Sequence, residues 1–313
     1  MKYLLTVFAV LFLFAIALYF ALKKVFDMTF APKRDQSDNF RYVPDTPQYT
    51  TIADVMLEHT DKLAKESFEE IYIKSHDGLK LFGRYYKRDR TDIVKLDFHG
   101  YRSHAYRDFS GNNEINKVLG LSSILVDQRS HGKSDGKAIC FGVKERFDVL
   151  SWVNYTTEHF GKDTKIILSG VSMGASTVLM ASELDLPESV VGIIADCPYS
   201  SPRDIILKVA HDRKLNGKLL FPLVKLSAKI FAKTDIDASS PADAVKNTNI
   251  PILIIHGDDD RFVPFNMGRK IFEACASKNK RFLRVEGAGH ALSYYCNPQG
   301  YMNTVKEFIE SVI

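Results

Sequence analysis

The first hydrophobic pattern in the chain is an apolar run, Tyr3–Leu22, interrupted only by Thr6. A helix of about 20 residues, rising about 1.5 Å per residue, spans the hydrocarbon core of a bilayer. The run therefore predicts a transmembrane anchor over residues 1–24. A cleaved signal peptide is the alternative, because Ala15-Ile16-Ala17 resembles a cleavage site. The run continues past that site and exceeds a signal core of about 7–15 residues, which favours the uncleaved anchor.

Basic residues flank this run on both sides, with Lys2 before it and Lys23, Lys24, Lys33 and Arg34 after it. The positive-inside rule compares the charges on the two flanks, and here both flanks are basic. The rule therefore does not decide on which side of the membrane the rest of the chain lies. With one apolar run, we expect a single-pass protein of the cell membrane.

Residues 25–66 are predicted to be a spacer that ends in an amphipathic helix. Pro32, Pro44 and Pro47 disfavour regular structure in its first part. Apolar residues then recur at helical spacing between Thr51 and Lys65. Such a helix packs on the main domain or lies at the lipid surface, and we expect packing.

From residue 67 to 313 the pattern is that of one α/β domain. Phe68–Lys87 alternates in period two around Asp77-Gly78, which predicts a β-hairpin. Short apolar, β-branched runs then alternate with helical segments as far as the end of the chain. This alternation predicts a mostly parallel sheet with helices on both faces.

One interruption, residues 198–244, is too long for a plain loop in a compact domain. It carries apolar clusters such as Leu219-Leu220-Phe221 among lysines. We expect a small helical cap over the functional site, the alternative being extra helices packed at the edge of the sheet.

Composition and charge exclude several classes of protein. The net charge is +4, from 42 basic and 38 acidic residues, and the basic residues are scattered. No basic block interleaved with aromatic residues is present, so nucleic-acid binding is not expected. The four cysteines form no C-x-x-C pair, which argues against a zinc site or a disulfide framework.

The candidate chemistry starts at Gly170-Val171-Ser172-Met173-Gly174, between an apolar strand and an Ala/Leu/Met-rich helix. A serine at such a strand–turn–helix junction is held in a strained conformation with its hydroxyl exposed above the sheet. Gly170 and Gly174 are expected because a side chain there would collide with the crossing strand and helix. The alternative is an ordinary glycine-flanked turn.

A serine nucleophile needs a histidine base and a carboxylate that orients it, in the chain order Ser, acid, His. An apolar strand ends in Asp258-Asp259-Asp260, and a later strand ends in the glycine-rich loop before His290. His290 is the candidate base. Spacing alone does not choose among the three aspartates, and their use as a metal site lacks matching histidine or glutamate ligands. His256 is expected to make a structural hydrogen bond.

An acyl-transfer site also needs backbone N–H donors for the oxyanion. The residue after the nucleophile, Met173, is one candidate. The other is Tyr101 in His99-Gly100-Tyr101, after the strand Ile93–Phe98. The alternative for His99-Gly100 is a simple turn.

Together these segments resemble the α/β-hydrolase superfamily and, within it, bacterial serine hydrolases related to monoacylglycerol lipases and serine aminopeptidases. The matching segments are Phe98–Tyr101, Asp127–Ser134, Gly170–Gly174, Ala195–Tyr199, Ser240–Ala244, His256–Pro264 and Gly287–His290. The resemblance implies an α/β-hydrolase fold and identifies Asp260 as the acid. It also implies that His131 lies near the site without being one of the triad.

The sequence departs from this family in two places. The strand before His99 carries Lys95 and Asp97, where the family has apolar residues, so these two must pair or that face of the sheet must be open. The apolar N-terminal run is not a general feature of the family, so the family's location in the cell does not carry over.

The expected function is that of a membrane-anchored serine hydrolase, a lipase-like serine esterase that cleaves carboxylic esters through Ser172, His290 and Asp260. Its substrate is expected to be a small ester or acyl compound, and no cofactor or metal is required. The alternatives are a serine peptidase or amidase with the same triad and a non-catalytic, membrane-tethered binding protein of the same fold. The sequence indicates no oligomeric state.

Overall fold

The computed structural model describes residues 2–33 and 39–313. Eight strands form one sheet, in the spatial order β1-β2-β4-β3-β5-β6-β7-β8. In chain order they are β1 Glu69–Lys74, β2 Lys80–Tyr86, β3 Arg90–Phe98, β4 Leu121–Asp127, β5 Lys165–Val171, β6 Val190–Asp196, β7 Ile252–Gly257 and β8 Lys280–Val285.

The sheet is parallel from β4 to β8 and antiparallel at the β1–β2 edge. The predicted hairpin is confirmed, since β1 and β2 pair directly through Ile71↔Gly83 and Ile73↔Leu81. The mostly parallel α/β architecture is confirmed as well. Because the parallel strands all end at one edge, the loops that follow β3, β5, β6, β7 and β8 meet there.

Helices cover both faces of this sheet. The helices before the sheet and over its first half are α1 Lys2–Thr29, α2 Pro47–Thr50, α3 Ala53–Ala64, α4 Ala105–Leu119, α5 Glu145–Phe160 and α6 Met173–Ala181. Those that follow are α7 Pro202–Asp212, α8 Gly217–Ser227, α9 Pro241–Ala244, α10 Phe265–Ala274, α11 Ser293–Cys296 and α12 Pro298–Glu310. Trp152 and Phe308 are fully buried against opposite faces of the sheet.

The two charged residues of β3 form a buried ion pair. Lys95 Nζ lies 2.9 Å from Asp97 Oδ1, and the two side chains are 2% and 0% exposed. Residues two apart on a strand point to the same face, so the two charges meet under α4 rather than facing water. Burial raises the pKa of the Asp97 carboxyl and the Lys95 ammonium opposes that rise. The pairing that the sequence required is therefore present.

The N-terminal helix is longer than the sequence predicted. α1 continues past the boundary at residue 24 as far as Thr29. Phe26 and Phe30 lie in the predicted spacer, yet both are buried against other parts of the chain. Lys23 pairs with Asp27 one turn later, which keeps both charges outside the packed face.

The rest of the predicted spacer is mixed. Its residues 34–38, with the flanking charge Arg34, lie outside the described residues. The amphipathic helix is present as α3, with Met56 and Leu63 buried. α3 packs against α4 of the main domain, as expected. α2, just before it, was not foreseen.

Residues 198–244, called the cap segment below, contain α7, α8, a π-helical turn over Ala228–Ala232, and α9. Phe221 and Val224 on α8 share an apolar cluster with Phe26 of α1 and with Met173, the residue after Ser172. The segment therefore lies over the carboxyl end of β5 and also contacts the N-terminal helix.

Candidate active site

Ser172 stands at the turn between β5 and α6. Its backbone angles, φ 56° and ψ −113°, lie in a region that non-glycine residues rarely adopt, so the strained turn is confirmed. The Ser172 amide donates to Asp196 O over 2.8 Å, which ties the turn to the end of β6. The serine is 7% exposed, and what is exposed faces the cavity described below.

The two flanking glycines are required by close backbone contacts. A Cβ on Gly174 would lie 1.7 Å from Phe98 O, and one on Gly170 would lie 2.3 Å from Gly174 C. Both distances are far below a van der Waals contact, and the atoms struck are backbone atoms. The collision with the crossing strand and helix, predicted from the sequence, is confirmed.

The loops after β7 and β8 bring Asp260 and His290 to Ser172. His290 Nε2 lies 2.9 Å from Ser172 Oγ, and His290 Nδ1 lies 2.7 Å from Asp260 Oδ2. The three side chains come from three different loops. Ser172 and His290 are 118 residues apart in sequence, and Asp260 and His290 are 30 residues apart. The structure thus joins the serine, histidine and aspartate selected from the sequence into one row of hydrogen bonds.

The electrostatics of this row fix the direction of its hydrogen bonds. Burial raises the pKa of the Asp260 carboxyl, but the nearby His290 and hydrogen bonds from His256 and His290 outweigh it and hold that pKa below its ordinary value. Asp260 is therefore ionised and accepts from His290 Nδ1–H. His290 Nε2 is then free to accept the Ser172 hydroxyl proton.

The neighbouring aspartates are engaged elsewhere. Asp258 accepts from Arg284 and from the Gly287 amide, and Asp259 accepts from Arg261 and from Gln48. Their carboxylates point to separate partners, so the three acids do not converge as metal ligands.

His256 is fully buried, and its Nε2 lies 2.9 Å from Val263 O. That contact is the structural hydrogen bond expected of it. The same ring nitrogen is 3.5 Å from Asp260 Oδ2, so His256 also flanks the acid.

The two candidate oxyanion donors lie on either side of Ser172. Met173 is the first residue of α6, where a helix leaves its N–H groups without intrahelical partners. Tyr101 follows β3, and among the described residues no group accepts a hydrogen bond from its amide. A Cβ built on Gly100 would lie 3.4 Å from Ser172 Cβ, so this loop passes directly over the serine.

The residues that hold the Tyr101 loop were only partly anticipated. Asp108, on the first turn of α4, has a side chain that is 5% exposed, and it accepts from the Gly100 amide over 2.7 Å. His131 Nε2 accepts from the Arg102 amide over 3.0 Å. Burial and the nearby His99 lower the pKa of His131 to about 3, so its ring is neutral and can accept. The resemblance placed His131 near the site, whereas Asp108 lies outside every motif.

Two residues of the predicted spacer also support the site. The Tyr49 hydroxyl donates to His290 O over 2.7 Å, and Gln48 Nε2 donates to Asp259 O over 2.7 Å. Both belong to the short helix α2. Nothing in the sequence indicates them, because a Pro-rich stretch carries no sign of the distant loop that it contacts.

One cluster at the site has the geometry of a three-ligand group: Cys197, Asp260 and His290 offer atoms within 4.8 Å of one another. Burial raises the pKa of the Cys197 thiol well above its ordinary value, whereas a metal ligand must be the thiolate. Both ring nitrogens of His290 are already bonded, to Ser172 and Asp260. The donor set therefore suits the hydrogen-bonded row better than a metal ion.

An apolar cavity of about 230 Å³ opens beside Ser172. Ile205, Phe221 and Val224 of the cap segment form one side, and Val25 and Met28 of α1 form another. Among the described residues, the charged side chains in its lining are Arg102 and Arg213. The site thus combines a polar hydrogen-bonded row with an apolar space for the molecule that reaches it.

Comparison with known proteins places the chain in a family. Residues 141–313, more than half of the chain, match the model of the prolyl oligopeptidase family. The uncharacterized protein YqkD of Bacillus subtilis is 28% identical over 285 residues, 82% of this chain and 92% of that protein. Protein ABHD12B of Homo sapiens is 29% identical over 238 residues, 71% of this chain and 61% of that protein.

The fold has close solved counterparts. An esterase from Pyrococcus furiosus superposes with a TM-score of 0.67 at 20% sequence identity, covering 91% of this chain and 98% of that one. At this identity the likeness concerns the fold alone. The chain is therefore a hydrolase that belongs to the prolyl oligopeptidase family and, with that family, to the α/β-hydrolase superfamily.

Proposed function

We propose that the protein is a membrane-anchored serine hydrolase that cleaves carboxylic esters. The single observation that carries this proposal is the row Ser172 Oγ, His290 Nε2, His290 Nδ1, Asp260 Oδ2, with contacts of 2.9 and 2.7 Å beside an apolar cavity. A serine hydroxyl within hydrogen-bond reach of a histidine that a carboxylate orients is an activated nucleophile.

The first half of the reaction follows from these contacts. Ser172 Oγ attacks the ester carbonyl carbon while His290 Nε2 takes the hydroxyl proton. The carbonyl oxygen becomes an oxyanion, which accepts hydrogen bonds from the Tyr101 and Met173 amides. Protonated His290 then gives its proton to the leaving alcohol oxygen, and the acyl group remains on Ser172.

Water completes the cycle on the same groups. His290 Nε2 removes a proton from the water as it attacks the acyl-enzyme, and then returns that proton to Ser172 Oγ. Asp260 stays ionised throughout and stabilises the imidazolium. The products are one carboxylic acid and one alcohol.

Membrane anchoring is proposed from the surface of α1. Tyr3–Thr29 is long and apolar enough to cross a bilayer. Large side chains along it, such as Phe8, Leu11 and Phe12, are more than half exposed. Exposure of so many apolar side chains is unfavourable in water and favourable in the lipid core of a bilayer. Leu22 and Phe26 near the end of α1, and Phe30 just after it, are buried against the domain, so the anchor is joined to the domain by packing.

The test is Ser172→Ala in the full-length protein. We expect hydrolysis of p-nitrophenyl butyrate to fall by about 10⁴-fold or more. Labelling by a fluorophosphonate probe should disappear too. The matched control is Ser182→Ala at the end of α6, which should keep both properties. Retained activity or labelling in Ser172→Ala contradicts the proposal.

A peptidase or amidase is the second candidate, favoured by the name of the matched family. The cavity lining favours an ester substrate over a peptide. Among the described residues it contains no carboxylate that could bind a peptide's terminal amine. Comparing kcat/KM for an aminoacyl p-nitroanilide and an acyl p-nitrophenyl ester separates the two. An anilide that is hydrolysed faster than the ester would make the amide the substrate.

A further inference from the structure

The end of α1 makes direct hydrogen bonds with the domain. The Ser227 hydroxyl of α8 donates to Leu22 O over 2.8 Å, in a buried position. The Ile139 amide donates to Phe30 O over 2.7 Å, and the Tyr101 hydroxyl donates to Thr29 O over 3.0 Å. Tyr101 carries one of the candidate oxyanion amides, so this residue connects α1 to the site directly.

These contacts make α1 a wall of the cavity. Val25, Met28 and Thr29 line it, and so do Phe221 and Val224 of α8. Ser172 lines the same cavity. A substrate chain that extends from an acyl carbon on Ser172 therefore passes between α1 and α8.

The level of the cap segment relative to a bilayer follows from its contacts with α1. The Phe231 ring lies 5.6 Å from the ring of Tyr19, which belongs to the apolar run itself. Since the run is the part of α1 that suits the hydrocarbon core, a segment that contacts its last turns lies at the surface of the leaflet.

The outward face of the cap segment fits that position. Leu219 is 73% exposed and Ile230 is 48% exposed, so both present large apolar surfaces. Lys218, Lys229 and Lys233, which lie beside them in sequence, are exposed as well. Apolar side chains flanked by lysines are the arrangement found where a helix lies in a lipid interface.

We propose that the last turns of α1 complete the cavity that holds the substrate's acyl chain, and that this chain slides in between α1 and α8 from the leaflet in which α1 sits. The proposal rests on the proposed function and extends it: the substrate is an acyl ester drawn from a membrane. α1 is then a determinant of acyl-chain length as well as an anchor.

The first test narrows the cavity from the α1 side. Val25→Trp is compared with Val10→Trp, the same change at an exposed position of α1 away from the cavity. The readout is the ratio of kcat/KM for p-nitrophenyl laurate to that for p-nitrophenyl acetate, in full-length protein in detergent. We expect Val25→Trp to lower this ratio by about tenfold or more and Val10→Trp to leave it unchanged.

Met28→Trp provides a second variant, because Met28 lines the cavity but is half exposed and tolerates a larger side chain. It should lower the same ratio. An unchanged ratio in both variants, whatever their total activity, overturns the assignment of α1 as a cavity wall.

The second test concerns the opening towards the leaflet. Leu219→Glu is compared with Val118→Glu, an apolar position on α4 of similar exposure, 67% against 73%. With a long-chain monoacyl ester in phosphatidylcholine vesicles, Leu219→Glu should lower the rate about fivefold or more, and Val118→Glu should not. Equal rates for the two variants would refute passage from the leaflet.

A photocrosslink separates this proposal from the proposed function. A fatty acid carrying a diazirine in mid-chain is irradiated with the Ser172→Ala protein, and the labelled peptides are mapped by mass spectrometry. Label on residues 25–29 and on α8 supports the cavity, and label confined to other segments overturns it. If the wild type cleaves no ester and yet these residues are labelled, only the proposed function fails.

Discussion

The loops after β3, β5, β7 and β8, called the rim below, and the layer formed by α1 and α8 meet at Ser172 but are held in place differently. The rim is positioned by backbone hydrogen bonds of the sheet and by polar contacts such as His290 Nδ1 to Asp260 Oδ2, 2.7 Å. The α1–α8 layer is positioned mainly by apolar contacts among Phe26, Phe221 and Val224.

This difference predicts how each region responds to substitution. The rim is held by directional hydrogen bonds and by close contacts with backbone atoms, which cannot shift to accept a different side chain. Substitutions in the rim should therefore lower both stability and activity. Apolar side chains in an open layer can repack, so changes there should alter substrate choice while costing little stability. The predictions below run from the largest expected effect on stability to the smallest.

The largest effect is expected for Gly174→Ala. The added Cβ would lie 1.7 Å from Phe98 O, a backbone atom of β3 that cannot move without disrupting the sheet. We expect the free energy of unfolding to fall by at least about 4 kcal/mol, or the protein not to fold at all. Urea unfolding measures the first outcome and soluble yield the second.

Gly192→Ala is the matched control within β6. Its Cβ would meet side-chain atoms of Phe308 and Ile167 at 3.2 and 3.3 Å, and these can shift. We expect a much smaller loss than for Gly174→Ala. Equal losses in the two variants would show that the rim is no less tolerant than the rest of the sheet.

The next effect concerns the ion pair beneath the rim. Lys95→Met leaves Asp97 buried without its cation, and breaking a buried pair in this way costs about 3–5 kcal/mol. The double variant Lys95→Met/Asp97→Leu removes both charges and should recover most of that loss. Urea unfolding of the two variants measures both quantities.

Arg90→Met on the same strand is the control for this pair. Arg90 Nη2 lies 2.8 Å from Asp92 Oδ2, also two residues along, but these two side chains are 36% and 63% exposed. Exposed pairs contribute about 0–1 kcal/mol, so we expect little change. A double variant at Lys95 and Asp97 that is no more stable than Lys95→Met would contradict desolvation of Asp97 as the cause.

A smaller and pH-dependent effect is expected at Asp196, at the end of β6. Burial raises its pKa to about 6, against the opposing effects of His256 and of hydrogen bonds from Tyr301 and Ser293. In the unfolded chain this carboxyl loses its proton near pH 4. Between pH 4 and 6 the folded state thus binds more protons, so stability falls as pH rises.

The contribution of Asp196 to the free energy of unfolding is fully present below about pH 4 and is lost as pH rises through about 6. The loss amounts to about 2–3 kcal/mol. Asp196→Asn should remove this part of the slope in urea-unfolding curves recorded between pH 4 and 6. Asp258→Asn is the control. Hydrogen bonds from Arg284 and the Gly287 amide lower the pKa of Asp258, so its effect should appear only below about pH 4. An unaltered slope in Asp196→Asn would argue against a buried, proton-binding carboxyl there.

Much of the rim could be predicted from the sequence, because its determinants are local. Ser172 is flanked by the glycines that its turn requires, and Asp260 and His290 follow apolar runs that are recognisable as strands. The choice of Asp260 among three aspartates needed the resemblance. Asp108 escaped prediction because an aspartate in the first turn of a helix is ordinary, and nothing local marks it as the partner of Gly100.

The α1–α8 layer could not be predicted, because its contacts join distant parts of the chain. Ser227 and Leu22 are 205 residues apart, and neither has a neighbourhood that signals the other. The apolar run ends at Leu22, and the boundary of the anchor was predicted at residue 24 for that reason. The long stems of Lys23 and Lys24 let their charges reach solvent while the helix continues. The sequence did predict that residues 198–244 form a small helical cap with apolar clusters among lysines, but it did not indicate their contact with α1.

The smallest effect is expected for Ser227→Ala, which removes the hydrogen bond from α8 to Leu22 O. A single buried hydrogen bond to a carbonyl contributes about 0.5–1.5 kcal/mol, and Leu22 O keeps its bond within α1. Ser151→Ala, which removes a comparable side-chain bond to Phe147 O on α5, is the control. We expect the free energies of unfolding of the two variants to lie within about 1 kcal/mol of each other. Ser227→Ala alone should change the ratio of kcat/KM for p-nitrophenyl laurate to that for p-nitrophenyl acetate. A loss in Ser227→Ala as large as that in Lys95→Met would mean that the layer is coupled to the sheet as tightly as the rim, and the contrast between the two regions would not hold.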